Sequence, residues 1–448
     1  MQQPFPPLSS AQFAVTLATI TAATLLIFGP SRIVLTALFL VALLDHPFRS
    51  HAIIHAAGIE WHPRELLLLA LFAHGAVACM RRRFWLEWTP IHFGMLLYTA
   101  VFAYAAWRGL WLGHTPGDII AESRAPLFLG AFWIFAGTVR DPRDLAYYRY
   151  LALCALVLMA AATIAAFGWF ALHGPIPNTQ NAFGEFVPRL IQGLPLQSIR
   201  PAGHAWLEAG LVVVLSMLMC PREPGLRKAI YVPLALLFAA AIATGMMRTA
   251  IISVGVSLAV LCWLNLPRAG RGLALALGMG LIAVAAPMAL LQPDRLPGAP
   301  IETDRSLTAR AVESAGALEA IRQRPFFGAG LGSGFEALGL AQKDSASSAI
   351  PEEYRSLHNA WLYIAWKSGL AGLGIALLAL GIILLHSQQI INRLPAMNER
   401  CLGRGLQAAL AGQLVASAAM PRLTWSSGAL FLSIWATAFL LLERRVEK

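Results

Sequence analysis

The sequence predicts an all-α polytopic membrane protein with about 12 transmembrane helices, and three observations lead there. Of 448 residues, 58% are hydrophobic and only 13% charged, with a mean hydropathy of +0.63, too little polar surface to solvate a globule of this length. Apolar stretches recur from residue 11 to residue 442 with no polar segment long enough to fold separately, so residues 1–448 read as a single membrane domain. Basic residues gather in short clusters between those stretches.

A helix crossing the hydrocarbon core needs about 20 apolar residues, fewer where neighbours shield its ends. On that rule spans are expected near 11–28, 31–45, 64–80, 91–108, 125–138, 147–172, 206–220, 229–247, 249–265, 272–291, 358–385, 406–420 and 427–442. Gly29 and Pro30 make the first two either a tight hairpin or a broken, partly re-entrant segment. Met1 to Ser10 lack the basic region and cleavage site of a secretory signal, so the first apolar run is expected to be retained.

The clusters Arg81 to Arg83, Arg140 to Arg149, Arg222 to Lys228, Arg268 and Arg271, Arg393 to Arg404, and Arg444 to Lys448 fall on alternate loops. Cytoplasmic loops keep such charges, which puts the C-terminus in the cytoplasm and the two long loops, 173–205 and 292–357, on the periplasmic side of a bacterial inner membrane. Long loops in compact proteins usually act rather than merely connect.

The net charge of +11 suggests nucleic acid only at first sight, because these cations are scattered rather than massed on one face. No nucleic-acid partner is expected. Nearly all the cations are arginines, whose planar fork suits phosphate or diphosphate. The five cysteines, Cys79, Cys154, Cys220, Cys262 and Cys401, share no metal-binding or disulfide spacing.

Within the larger loop, Leu307, Ala311, Leu318 and Ile321 recur at helical spacing between Ser306 and Pro325, predicting an amphipathic helix on the membrane surface. At 100° per residue Arg310 and Arg322 flank that stripe, whereas Glu313 and Glu319 point further away. Pro325 ends the helix and a glycine-rich turn follows through Gly334.

The run from Arg310 to Gly372 joins an arginine, the turn Pro325-x-x-Gly328-x-Gly330-x-Gly332, and Ser356-Leu-His-Asn-Ala-Trp entering a long helix that continues Lys-Ser-Gly-Leu-Ala-Gly. This resembles the signature of the O-antigen ligase, polysaccharide polymerase and protein O-oligosaccharyltransferase superfamily. The resemblance implies a GT-C-like membrane fold and His358 as the essential periplasmic histidine, followed by Asn359, with Arg310 as the loop arginine. Ser198-Ile-Arg-Pro-Ala-Gly and Gly245-Met-Met-Arg-Thr-Ala resemble two further elements, making Arg200 and Arg248 candidates for anion contact. The chain departs from the pattern at Met247, at Lys367, where an acidic residue is common, and at Glu208 inside the seventh span.

The resemblance implies a glycosyltransferase that moves a glycan from undecaprenyl diphosphate to an acceptor hydroxyl, the acceptor being a lipid A core sugar for a ligase or another lipid-linked glycan for a polymerase. No metal or other cofactor is expected. The residue types suit that chemistry: a base takes the acceptor proton and arginines stabilise the departing diphosphate. Histidine has an ordinary pKa of about 6.5, and positive potential from arginines and a helix N-terminus favours its neutral, basic form. Direct attack opposite the diphosphate would invert the anomeric carbon.

Each candidate has a plainer reading. His358 could be an interfacial anchor, and Arg310, Arg200 and Arg248 could bind headgroups or solvent. Glu208, about one turn inside its span, is equally a functional carboxylate or half of a salt bridge. Gly328, Gly330 and Gly332 could cradle phosphate, but a turn is the stronger expectation. A flippase for lipid-linked sugars is the competing class; it would show interrupted helices at matching positions in two halves, whereas here charge and glycine concentrate in one late loop.

Overall fold

The computed structural model describes residues 54–56, 59–61, 63–81, 84, 86–138, 141, 143–173, 184–191, 194–201, 204–245, 247–265, 302–340, 349–420, 422–424 and 426–447. The predicted spans 11–28, 31–45 and 272–291 lie outside these residues.

Each of the other predicted spans coincides with a helix. In chain order the helices are α1 (Pro63–Met80), α2 (Pro90–Trp111), α3 (Pro116–Leu127), α4 (Gly130–Thr138), α5 (Asp144–His173), α6 (His204–Leu218), α7 (Gly225–Thr244), α8 (Arg248–Asn265), α9 (Glu302–Gln323), α10 (Ala360–Arg393), α11 (Met397–Ala416) and α12 (Ser426–Val446). By length and apolarity, α2, the α3–α4 pair, most of α5, α7 and α10 are able to cross a membrane. Shorter apolar helices are found in α1, α6 and α8. Their outward faces carry Trp107, Trp111, Leu158, Leu236 and Leu385, all exposed, so these helices are apolar on both sides, as lipid requires.

Helix α11 starts nine residues before the expected span because its charges find partners. Arg404 donates to Asn265 Oδ1 at 2.8 Å, Arg400 Nε donates to the Leu394 carbonyl at 2.5 Å, and Glu399 lies 3.6 Å from Arg445. Hydropathy counts such residues against a span, whereas pairing lets them enter the bundle.

Three antiparallel hairpins stand outside the helices, a feature the apolar pattern does not predict. They are β1 (Ile54–Ala56) with β2 (Ile59–Trp61), β3 (Gly184–Ile191) with β4 (Leu194–Pro201), and β5 (Phe335–Leu340) with β6 (Ala349–Tyr354). The last two occupy the long loops. In β4, Arg200 stands opposite Glu185; at the base of β5–β6 the stacked rings of Phe335 and Tyr354 lie 5.6 Å apart.

Helix α10 runs along α2, while α11 packs on α6 and α8, with Trp366, Trp435, Phe128, Phe132 and Phe439 filling the interior. Two contacts fix the ends of this bundle. The Ala360 N–H donates to the Ser417 carbonyl at 2.9 Å, setting the start of α10 beside the end of α11. At the other end His386 Nε2 lies 2.6 Å from Glu443.

Helix α9 forms in the large loop as expected and buries Ile321 of the expected stripe, but the rest of its buried face differs, the side chain of Leu307 lying outside the described residues. Glu313, Ala317 and Ile321 are buried, one residue per turn, whereas Ala311 and Leu318 are exposed. Ala311 and Leu318 are corrected as inward residues because a carboxylate, not a third apolar residue, completes the inward row, and its partner is His358.

Candidate functional site

The His358 main-chain N–H donates to Glu313 Oε1 at 2.8 Å, and its ring Nδ1 lies 2.9 Å from Glu313 Oε2. An ionised carboxylate only accepts, so Nδ1 carries the proton in this bond and the neutral ring keeps its lone pair on Nε2. The Glu313 side chain is 7% exposed and that of His358 53%, so the carboxylate is fixed inside while the ring edge stays reachable. A carboxylate partner replaces the expectation that positive potential alone surrounds this histidine.

Asn359 has a definite local role. Its Oδ1 accepts from the Trp361 and Leu362 N–H groups at 3.0 and 3.1 Å, capping α10 and leaving His358 just outside the helix. Arg310 is half-buried on α9, three residues before Glu313 and therefore on the same side of that helix.

The glycine turn is an interlock with α10. At Gly369 the helix breaks, with φ +75°, which takes the groups on either side out of the regular helical ladder. The turn supplies replacements on both sides. Leu370 and Ala371 donate to the Pro325 and Phe326 carbonyls at 2.7 and 3.4 Å, while Ala329 and Gly330 donate to the Trp366 and Lys367 carbonyls at 2.8 and 2.9 Å. Four main-chain hydrogen bonds from outside the helix thus bridge the break.

Gly328, Gly330 and Gly332 have φ of +69°, +79° and +81°, and a methyl built on Gly328 or Gly330 would overlap the backbone of Gly369 or Gly109. The N–H groups of residues 328 to 332 all donate to protein acceptors. These glycines thus support the site by close packing, and the phosphate-cradle reading is set aside because no N–H in that run is left for an anion.

Behind the turn sits a buried ion pair. Lys367 Nζ lies 2.8 Å from Glu122, donates to the Ser333 carbonyl at 2.6 Å and sits 3.7 Å over the Trp366 ring. Glu122 in turn accepts from the Gly332 N–H at 3.1 Å. The same helix, α3, pairs Asp118 with Arg355, three residues before His358. Lys367, a departure from the family pattern in sequence, thus brings its own carboxylate from another helix.

Glu208 takes the salt-bridge reading. It is 1% exposed and accepts from both terminal nitrogens of buried Arg422, at 2.5 and 3.0 Å, with Gln413 Nε2 at 3.0 Å. Gln413 Oε1 also accepts from Arg422 at 2.7 Å, so the network ties α6 to the loop after α11. Arg248 begins α8, where neighbouring Thr249 donates to Met420 Sδ at 3.1 Å in that same loop. Arg200 precedes α6 in β4. The fold therefore brings the segments carrying His358, Arg310, Arg248 and Arg200 toward the end of the bundle where α10 begins. Sequence reasoning missed Glu313, Glu122, Arg422 and Gly109; only the repeated glycines hinted at a close approach.

Fold and site together define a polytopic helical membrane protein with a carboxylate-held histidine at the mouth of a long helix, flanked by arginine-bearing segments. Residues 233–386, about a third of the chain from within α7 to within α10, match the family model described as O-Antigen ligase. That match supports the O-antigen ligase and polymerase superfamily and an enzyme of glycosyltransferase type. A search of curated proteins finds no match to this chain.

Proposed function

We propose that the protein transfers a glycan from undecaprenyl diphosphate to an acceptor hydroxyl at the periplasmic face of the bacterial inner membrane, in the manner of an O-antigen ligase with a lipid A core sugar as acceptor. The reading rests above all on His358, whose Nδ1 is held by Glu313 while Nε2 stays open at the start of α10. In the reaction Nε2 takes the acceptor proton, the oxygen bonds to the anomeric carbon with inversion, and the carbon–oxygen bond to the diphosphate breaks. The electron pair leaves with undecaprenyl diphosphate.

Arg310, Arg248 and Arg200 are the groups to meet the charge that develops on that leaving group, without a metal. Glu313 is a positioning residue: it fixes the tautomer and ring orientation through which His358 acts. The test is transfer by purified protein reconstituted with lipid-linked donor and a panel of acceptors, with and without chelator. Transfer should fall sharply in His358→Ala and Arg310→Ala at normal expression; wild-type transfer by either variant removes its assigned role. Product on lipid A core identifies a ligase, and product on a second lipid-linked glycan a polymerase.

A further inference from the structure

An open trough runs between α5, α6, α7, α11 and α12, and its walls are almost wholly apolar. Its shape follows from small residues: Ala152 and Ala155 on α5 face Gly210 on α6 and Ala409 on α11, leaving space where larger side chains would close the bundle. The one fully charged side chain in its wall is Arg149.

Arg149 Nε is buried and has no hydrogen-bond acceptor among the described residues, where the guanidinium also forms no ion pair. The Tyr150 ring lies 5.6 Å from its guanidinium carbon. The carboxylate of Glu223, in the loop before α7, pairs instead with Arg227 at 3.3 Å. A buried donor without an acceptor destabilises the fold, which a ligand anion would relieve.

The trough has a direction. Trp206 lies toward the His358 end, one residue after Ala205, whose carbonyl accepts from Gln413. Met217 and Leu402 lie toward the opposite end, where Ser216 donates to the Cys401 carbonyl at 2.6 Å. Arg149, near the start of α5, belongs to this opposite end, as do exposed Arg143 and Arg222. The carboxylates Asp141, Asp144 and Glu223 share this end, but with Arg227 and Lys228 the cations outnumber them, and the wall beyond is apolar.

We propose that this trough binds an anionic glycerophospholipid from the leaflet remote from His358, with its phosphate on Arg149 and an acyl chain running toward Trp206. The shape and polarity match an amphiphile with one anionic head, and charge complementarity selects the anionic class. A polyprenyl diphosphate donor would need its diphosphate at the other end, beside His358, so this lipid is separate from the transfer reaction.

The full-length protein, reconstituted in bilayers of equal parts phosphatidylglycerol and phosphatidylcholine and released for native mass spectrometry, tests the site. The wild type should retain phosphatidylglycerol over phosphatidylcholine. Arg149→Ala should reduce that retention about tenfold, the scale of one charge-assisted hydrogen bond, and Arg149→Lys should restore part of it. Ala152→Phe, which fills the trough and leaves Arg149 in place, should displace the same lipid even if Arg149→Ala does not fold. Equal retention of both lipids by the wild type, undiminished retention in Ala152→Phe, or a polyprenyl species as the retained mass overturns the proposal. None of these readouts depends on glycan transfer.

Discussion

Glu313 holds His358 at two points, the main-chain N–H and the ring Nδ1, so ring position and tautomer are set by one buried carboxylate. Removing it frees the imidazole to rotate and to exchange tautomers, which affects the chemical step more than donor binding. Glu313→Ala should lower kcat about 10²-fold with donor KM changed less than about threefold, and Glu313→Gln should recover part of the loss because its amide oxygen still accepts from the ring. Steady-state kinetics on reconstituted protein decide this, and a KM effect alone would argue against orientation. His358→Ala, which removes the base itself, should cost about 10²–10⁴-fold in the same assay. His358 was legible because its neighbours form a recognisable string. Glu313 was not: helical periodicity assigns a carboxylate to solvent, and its burial depends on a residue 45 positions later.

At the level of the element, α10 is a broken helix repaired by the turn of residues 325–330. Gly330→Ala should therefore sharply reduce folded yield and thermal stability in detergent, since the added methyl meets the Gly109 backbone and φ is +79°. Gly374→Ala on the same helix meets nothing nearby and should stay within about 1 kcal/mol of wild type, a control that separates local overlap from general sensitivity. The Lys367–Glu122 pair is open to a double-mutant cycle. Lys367→Met or Glu122→Gln alone leaves a buried charge or carboxamide without its partner and should cost about 3–5 kcal/mol, whereas the double variant should cost less than the sum. Additive losses in thermal melts would mean that the two side chains act independently. The turn's glycines were visible in sequence, but their partners lie on α2 and α10, and no local pattern announces where one backbone will touch another.

Over the whole molecule, the helices follow the apolar runs closely, because length and hydropathy fix where a chain can enter lipid. The hairpins in the long loops escaped that reading, since short strands carry little hydropathic signal, and α11 began early because its charges are paired. The start of α10 lies beside the end of α11, so His358 and Arg422 share one end of the bundle. In a cysteine-free background, Ser356→Cys should react with an impermeant maleimide added outside intact cells, while Asn392→Cys, near the other end of α10, should react only after permeabilisation. The reverse pattern would reject the periplasmic assignment of the site.

The repaired break in α10 also bears on how the protein is made. During synthesis the segment holding Pro325 and Phe326 leaves the ribosome before Leu370 and Ala371, so on the proposed topology the docking partner is exported before the broken helix reaches the bilayer. Until the two meet, the four main-chain hydrogen bonds across the break are unmade. Biogenesis of this helix is thereby tied to arrival of an extramembrane peptide, and a chain that failed to export that peptide would hold an incompletely inserted helix, a natural substrate for quality-control proteolysis.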